Sequence, residues 1–178
     1  MKKTGRDIYL ELMNSDRYFI QVEPVIDNKM RGICTKAYPN HPKGCPNFGK
    51  KAGCPPESPQ IDELIRTDHP MPVYAIFNRF DFRGHCERMK EKHPEWSQRQ
   101  VECCLYWQGT ARKVLKDKIK AFMWKFPHWD IVACPEGAGV NITETMKNVG
   151  IELEWPPVNY TYQIVLAGIP KGEFQYEL

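Results

Sequence analysis

The stretch from residue 28 to residue 56 constrains this chain more than any other part of its sequence. It holds three cysteines and six lysine or arginine residues, and it has no aspartate or glutamate. Metals bind the thiolate form of cysteine, and clustered thiolates need nearby positive charge, so this composition favours a metal site. Glycine and proline are frequent between the cysteines, which is typical of a loop. We therefore predict a Cys/Pro/Gly-rich metal loop over residues 28–56.

Composition and charge exclude several classes of protein. The chain has 178 residues, of which 42% are hydrophobic and 26% charged. It is therefore long enough to bury a core without covalent staples, and it is neither disordered nor collagen-like in composition. The basic residues of the metal loop contribute +6 of charge, which leaves −3 for the rest of a chain with a net charge of +3. The positive charge is local and does not by itself indicate nucleic-acid binding.

The cysteine count and the first residues predict a cytoplasmic location. The seven cysteines are an odd number, and Lys2 and Lys3 are not followed by an apolar run. No stretch approaches the roughly 20 apolar residues that span a membrane. In a reducing compartment, cysteines are more often metal ligands, catalytic groups or small buried residues than disulfide partners. We expect no disulfide framework and no membrane contact.

Strand and helix signals alternate along the chain. Runs of β-branched and aromatic residues predict strands at 18–26, 73–80, 130–133 and 160–167. The predicted helices begin after the caps Ser58, Ser97 and Asn141 and end near Arg66, Pro127 and Gly150, respectively. This alternation predicts an α/β or α+β fold, with a sheet flanked by helices and a single domain over residues 1–178.

The spacing of the cysteines favours an iron–sulfur cluster over a single zinc ion. Structural zinc sites usually contain Cys-x2–4-Cys pairs, whereas ten residues separate Cys34 from Cys45 and eight separate Cys45 from Cys54. A cubane-sized cluster has well-separated corners and tolerates wide loops. Four thiolates on a [4Fe-4S]2+ core leave a net charge of −2, which a lysine-rich loop would offset. Cys45 and Cys54 are also followed by proline, as in bacterial ferredoxin runs.

Cys134 is the predicted fourth ligand. It lies at the end of a predicted strand and before a helix, at the sheet edge where α/β folds bind ligands. The Gly137-Ala-Gly139 turn and the helix dipole would stabilise an anion there, and Glu136 could act as an acid or a base. If Cys134 did not bind the cluster, one iron would be open to substrate. The alternative is a core cysteine at the end of a strand.

The remaining cysteines and histidines have simpler interpretations. Cys103 and Cys104 are expected to pack in the middle of a helix. His85 and Cys86 could be a ligand pair, although a solvated loop is the simpler interpretation. His41, which lies between prolines, could be an accessory ligand, although a plain loop position is the simpler interpretation.

The segment from Cys45 to Pro56 reads Cys-Pro-Asn-Phe-Gly-Lys-Lys-Ala-Gly-Cys-Pro-Pro and follows Cys34. It resembles the Cys-Pro-x-Tyr-Gly-Lys-x-x-x-Cys-Pro-Pro signature, preceded by a further cysteine, of the bacterial and archaeal metal-binding family called domain of unknown function 2284. Residues 135–151 resemble that family's Pro-Ser-Met-Glu-Ala-x-Gly-Ile-Asp segment. The family's additional Cys-x-x-Cys group is absent from this chain. The resemblance implies metal binding at no more than one cluster and implies no activity.

Three functions follow from these observations. The first is an iron–sulfur protein for electron transfer, or for cluster-assisted chemistry on a small anionic substrate, in which Lys50 and Lys51 tune the potential or hold the anion. The second is a structural zinc module with a basic surface for a nucleic acid or a protein, where Tyr38 and Phe48 lie among the lysines. The small net charge and the lack of a nucleic-acid motif argue against nucleic acid. The third is a cofactor-free thiol enzyme that uses Cys134 at a helix N-terminus, where its pKa would fall.

Overall fold

An antiparallel sheet organises the fold. The computed structural model describes residues 18–37, 42–51, 53–68 and 70–172. Within these ranges the sheet has four strands, in the order β1-β2-β4-β3. They are β1 (Phe19–Val22), β2 (Val73–Asp81), β3 (Asp130–Val132) and β4 (Tyr160–Gly168). Strand β3 pairs antiparallel with β4, so that Ile131 lies opposite Ala167. The fold is α+β, which is one of the two classes predicted.

Helices flank the sheet. In the described part of the chain they are α1 (Ile61–Leu64), α2 (Phe82–Lys92), α3 (Gln98–Val101), α4 (Gln108–Lys125) and α5 (Ile142–Lys147), with 3-10 helices at Asn28–Thr35 and Cys104–Tyr106. The predicted strands are confirmed, although the first is shorter than expected. The Asn141 cap is confirmed as well, because its side chain accepts a hydrogen bond from the Glu144 amide. Gly150 has the positive φ of +79° that a helix end requires.

Residue contacts divide the chain into two compact units. Among the described residues, the first unit comprises Tyr18, 76–125 and 152–164, and the second comprises 19–75, 126–151 and 165–172. Strands β2 and β4 contribute residues to both units. All four predicted metal ligands belong to the second unit. The single domain over residues 1–178 stays a prediction.

The first unit has an aromatic core. Phe80 stacks on Trp107 with ring centroids 5.1 Å apart, and Phe82 meets Trp107 edge to face at 5.7 Å. Both Phe82 and Trp107 are buried. Aromatic pairs of this kind contribute about 0.5–1.5 kcal/mol beyond the area that they bury.

The second unit is built on aliphatic side chains and on a second aromatic group. Its fully buried side chains include Ile61, Ile65, Val140, Met146 and Leu166. Gly168 allows a close approach there, because a Cβ at this position would lie 2.7 Å from a methyl carbon of Ile65. The Tyr74 ring lies 5.2 Å from the ring of Trp129. These residues form the core of the unit that contains the cysteine segments.

The first predicted helix begins later than expected. Helix α1 starts at Ile61, and the Glu63 carboxylate accepts a hydrogen bond from the Gln60 amide in a capping box. Ser58 is not the cap. Its hydroxyl is buried and donates instead to the Gly137 carbonyl at 2.8 Å. A long-range contact has replaced the local cap that the sequence predicted.

The predicted long helix is broken. The capping box at Ser97 and Gln100 is present, and helix α4 ends before Pro127 as predicted. Helix α3, however, ends at Val101, and α4 begins only at Gln108. Between them the Trp107 indole N–H donates to the Glu102 carbonyl at 3.3 Å. Burial of Trp107 outweighs helix propensity here.

His85 and the three cysteines of the first unit are placed differently from the prediction. Cys103 and Cys104 lie in the break between α3 and α4, where Cys104 is exposed. His85 and Cys86 lie in helix α2 and not in a loop. This helix forms because the Asp81 carboxylate accepts a hydrogen bond from the Gly84 amide.

Candidate metal centre

The metal loop begins as a 3-10 helix that is attached to the turn after Cys134. The Asp27 amide donates to the Gly139 carbonyl at 2.8 Å, and the Asp27 carboxylate accepts from the Lys29 amide at 3.0 Å. Asp27 therefore caps the 3-10 helix and joins it to residues 135–139. These contacts bring the segment of Cys34 towards the segment of Cys134.

Arg31 joins three segments of the centre. Its guanidinium donates to the Gly137 carbonyl at 3.1 Å and to the Pro56 carbonyl at 2.8 Å. The Gly137 carbonyl also accepts from Ser58, and the Ile61 amide donates to the Ala138 carbonyl at 2.9 Å. Segments 28–35, 53–61 and 134–139 are thus held together by hydrogen bonds that sequence spacing alone does not reveal.

Cys34 and Cys45 are neighbours through their backbones. The Cys45 amide donates to the Cys34 carbonyl at 2.7 Å. Gly44, between them, has a φ of +82°, and a Cβ at this position would lie 2.5 Å from the Cys34 carbonyl oxygen. Only glycine combines this backbone conformation with this close approach. Ten intervening residues therefore separate the two cysteines in sequence but not in space.

Cys54 and Cys134 are brought together by a second close approach. A Cβ added at Gly137 would lie 3.0 Å from the Cys134 sulfur and 3.2 Å from the Gly53 carbonyl oxygen. The backbone at Cys54 is fixed by its amide, which donates to the Lys51 carbonyl at 2.8 Å. The cis bond between Pro55 and Pro56 follows directly.

The Cys34 thiol lies within electrostatic reach of the other acidic groups of the centre. Burial raises its pKa above the usual 9.0, and Cys45, Cys54 and Glu136 raise it further because each is negative when deprotonated. Burial and these neighbours therefore disfavour the thiolate form of Cys34.

Cys134 is held in its thiol form by a similar balance. Burial raises its pKa, a hydrogen bond from the Gly137 backbone lowers it, and nearby Glu136, Cys54 and Cys34 raise it again. Burial also raises the pKa of Glu136. Positive charge brought among these groups would reverse the balance and favour their deprotonated forms.

The thiols do not form a ready-made site for one ion. Among the described residues, no three His, Cys, Asp or Glu side chains are arranged so that they could hold a metal ion together. Electrostatic interactions nevertheless link the thiols, because Cys34 interacts with Cys45 and Cys54, and Cys134 interacts with Cys54 and Cys34.

A helix dipole and a glycine turn were predicted to stabilise an anion at Cys134, and the structure corrects the first of these predictions. Helix α5 begins only at Ile142 and is capped by Asn141, so Cys134 is not at a helix N-terminus. The turn at residues 137–139 does act on the cysteine, through the hydrogen bond from the Gly137 backbone. The pKa of Cys134 is raised and not lowered, which removes the premise of the thiol-enzyme interpretation.

The two predicted cofactor-binding lysines differ in position. Lys50 lines a cavity of about 510 Å3 together with Cys34 and Cys45, and Lys51 is not among its lining residues. Lys43 also lines this cavity but was not singled out from the sequence. Arg31 was missed as well, although both residues belong to the acid-free segment that gave the signal. Tyr38 and His41 lie outside the described residues.

His85 and Cys86 belong to the first unit. His85 is buried, and its pKa is lowered by this burial and by the Arg88 guanidinium. Burial raises the pKa of the Cys86 thiol, with smaller contributions from Glu102 and Glu87. The side chain of Cys86 packs against the aromatic core around Trp107. These contacts describe core residues.

Comparison with known proteins leaves the function to be argued from the centre itself. No protein-family profile, curated protein or solved structure matches this chain. The resemblance to domain of unknown function 2284 stays a prediction. None of the helices in the described ranges is both long enough and apolar enough to cross a membrane.

Proposed function

We propose that this protein binds a [4Fe-4S] cluster through Cys34, Cys45, Cys54 and Cys134. We further propose that it acts in the cytoplasm, in electron transfer or in chemistry on a small anionic substrate. The observation that carries the proposal is the meeting of three chain segments around four thiols, held by Arg31 and Ser58. The hydrogen bond from the Cys45 amide to the Cys34 carbonyl adds a direct contact between two of the proposed ligands.

The charges support a cationic group at this position. Deprotonation of Cys34 or Cys134 is opposed by burial and by the other acidic groups. A [4Fe-4S]2+ core would offset this repulsion, and four thiolates on it leave a net −2. Arg31 lies within the centre, and Lys43 and Lys50 line its cavity, so positive side chains are available to balance that residual charge.

The sequence spacing of the cysteines supports a cluster over a single ion, because Cys34, Cys45 and Cys54 do not form the Cys-x2–4-Cys pair that is usual in structural zinc sites. When bound, such a cluster supplies one-electron chemistry. With Cys134 as a fourth ligand each iron would be bound by protein, so electron transfer is the simpler form of the proposal.

A structural zinc site is the second candidate. The observation that favours it is the hydrogen bond between the backbones of Cys34 and Cys45, which makes neighbours of ligands that are distant in sequence. In this alternative the four sulfurs would close on one tetrahedral ion. In this alternative the basic residues would face a protein or nucleic-acid partner.

The deciding experiment measures iron, zinc and acid-labile sulfide in protein purified without oxygen. About four irons and four sulfides per chain are expected, with an absorbance that falls on reduction. Cys134→Ser should lose this content, whereas Cys104→Ser, which changes an exposed cysteine of the first unit, should keep it. One zinc per chain and no sulfide would contradict the cluster and favour the alternative.

A further inference from the structure

The metal centre has a cavity beside it. The cavity measures about 510 Å3, which is within the range of small-molecule sites. Its walls come from residues 34–35 and 42–50 of the second unit. They are Cys34, Thr35, Pro42, Lys43, Gly44, Cys45, Pro46, Phe48 and Lys50.

The walls combine positive charge with flat apolar surface. Of the lining residues that the structure describes, Lys43 and Lys50 are charged and none is acidic. Phe48, Pro42 and Pro46 provide apolar faces. An apolar wall with a few polar groups is the usual composition of a small-molecule site, and here the charge favours an anion.

The lysines are available to such a ligand. In the described part of the chain, neither Lys43 nor Lys50 takes part in an ion pair. The hydroxyl of Thr35 is already engaged, because it donates to the Gly32 carbonyl at 2.8 Å. Charge recognition in the cavity therefore falls to the two ammonium groups.

We infer that this cavity binds a small organic anion that carries an aromatic ring, with its carboxylate or phosphate held by Lys43 and Lys50 and its ring against Phe48. The inference rests on the proposed function, because Cys34 and Cys45 are both proposed cluster ligands and lining residues. It assigns the substrate class of that centre. A ligand bound here contacts the side of the centre that carries Cys34 and Cys45.

The test titrates the anaerobically purified protein with phenyl phosphate, benzoate, inorganic phosphate and benzyl alcohol by calorimetry. At least one aromatic anion should bind more tightly than both inorganic phosphate and the uncharged alcohol. Comparison of phenyl phosphate with benzoate identifies the head group. Added salt should weaken binding, because the head-group contacts are ionic.

Three variants assign the contacts. Lys50→Gln should weaken binding about tenfold or more, since it removes a charge-assisted hydrogen bond. Lys51→Gln is the matched control, because this neighbouring lysine does not line the cavity, and its affinity should stay within about twofold. Phe48→Leu should remove the preference for the aromatic anion over inorganic phosphate.

Iron and sulfide analysis of the same samples separates this inference from the proposed function. If the protein holds no iron but still binds the aromatic anion in a way that depends on Lys50, the assignment of the cavity stands and the proposed cluster is contradicted. A loaded cluster with no aromatic anion bound, or with equal losses in Lys50→Gln and Lys51→Gln, would overturn the cavity assignment. If Lys50→Gln does not fold, Lys43→Gln is compared with Lys51→Gln in its place, with the same outcomes.

Discussion

Single glycines allow close approaches beside the cysteines of this protein. At Gly137 the backbone lies so close to the Cys134 sulfur and the Gly53 carbonyl that a methyl group would be within 3.0 Å and 3.2 Å of them, respectively. At Gly53, in contrast, no atom lies within 4 Å of an added Cβ. The two positions are part of the same centre but tolerate a side chain very differently.

We therefore expect Gly137→Ala to lower iron content and Gly53→Ala to preserve it. The new methyl of Gly137→Ala must displace the Cys134 sulfur or the backbone of Gly53, and overpacking of this kind costs about 1–3 kcal/mol. Iron and sulfide per chain, with the thermal midpoint, would be measured for both variants. Equal iron content in the two would show that the close approach at Gly137 does not position the ligands.

Glu154 provides a residue-scale prediction in the first unit. Hydrogen bonds from Asn159, first through its side chain and then through its backbone, together with those from the Val158 and Tyr160 amides, lower its pKa from 4.5 to about 2. A lowered pKa in the folded state means stability that is present above pH 4.5 and is lost as the pH falls towards 2.

Glu154→Gln should therefore reduce the acid sensitivity of the fold. Urea unfolding of wild type and variant between pH 5 and about 2 should show a gap that narrows as the pH falls, because wild-type Glu154 becomes protonated. Glu152→Gln, at an exposed neighbouring position, serves as the control. A gap between wild type and Glu154→Gln that does not change with pH would contradict this role.

At the scale of elements, the 3-10 helix at Asn28–Thr35 depends on Arg31 for its attachment to the centre. One guanidinium donates to two carbonyls, of Gly137 and Pro56, that belong to separate segments. Hydrogen bonds from a charged donor contribute about 1.5–3 kcal/mol each when partly buried. The geometry suits the planar fork of arginine and not the single ammonium of lysine.

Arg31→Lys should accordingly release metal faster than wild type while the fold persists. The measurement is the rate of iron loss to a chelator without oxygen, with Lys29→Gln as a control in the same 3-10 helix. We expect a several-fold faster loss in Arg31→Lys and no change in Lys29→Gln. Unchanged kinetics in Arg31→Lys would mean that Ser58 and the backbone contacts suffice to hold the segments.

The success of the sequence-based predictions varies from element to element for physical reasons. Strand β2 was predicted because it is rich in β-branched and aromatic side chains, such as Val73, Ile76 and Phe77, which is a local property. The cap at Ser58 was wrong because its hydroxyl bonds to Gly137, which is 79 residues away. The break before α4 was missed because burial of Trp107 competes with helix formation.

Some residues of the candidate centre could likewise be predicted from the sequence, and others could not. Composition and spacing selected Cys34, Cys45, Cys54 and Cys134. In the fold, Cys34 interacts electrostatically with Cys45 and Cys54, and Cys134 interacts with Cys34 and Cys54. Arg31 could not be selected, because its partner Gly137 is 106 residues away in sequence. The Lys50 and Lys51 pair was likewise ambiguous, since only a folded loop decides which lysine faces the cavity.

At the scale of the whole molecule, the four proposed ligands belong to one of the two compact units. The second unit contains the cysteines and the segments that carry them, whereas the first has its own aromatic core around Trp107. Metal binding contributes free energy to the part of a fold that supplies the ligands. Regions of one chain can also open with different free energies.

Metal removal should therefore loosen the two units unequally. Comparison of hydrogen exchange between loaded protein and anaerobically chelated protein should show the largest increase at residues 28–37, 42–51 and 134–140. The amides of α2 and α4, which belong to the first unit, should change much less. Untreated Cys134→Ser provides the control, because it is expected to lack the cluster and its exchange should already match that of chelated wild type. A uniform increase across both units would contradict this expectation and would support the single cooperative domain that the sequence predicted.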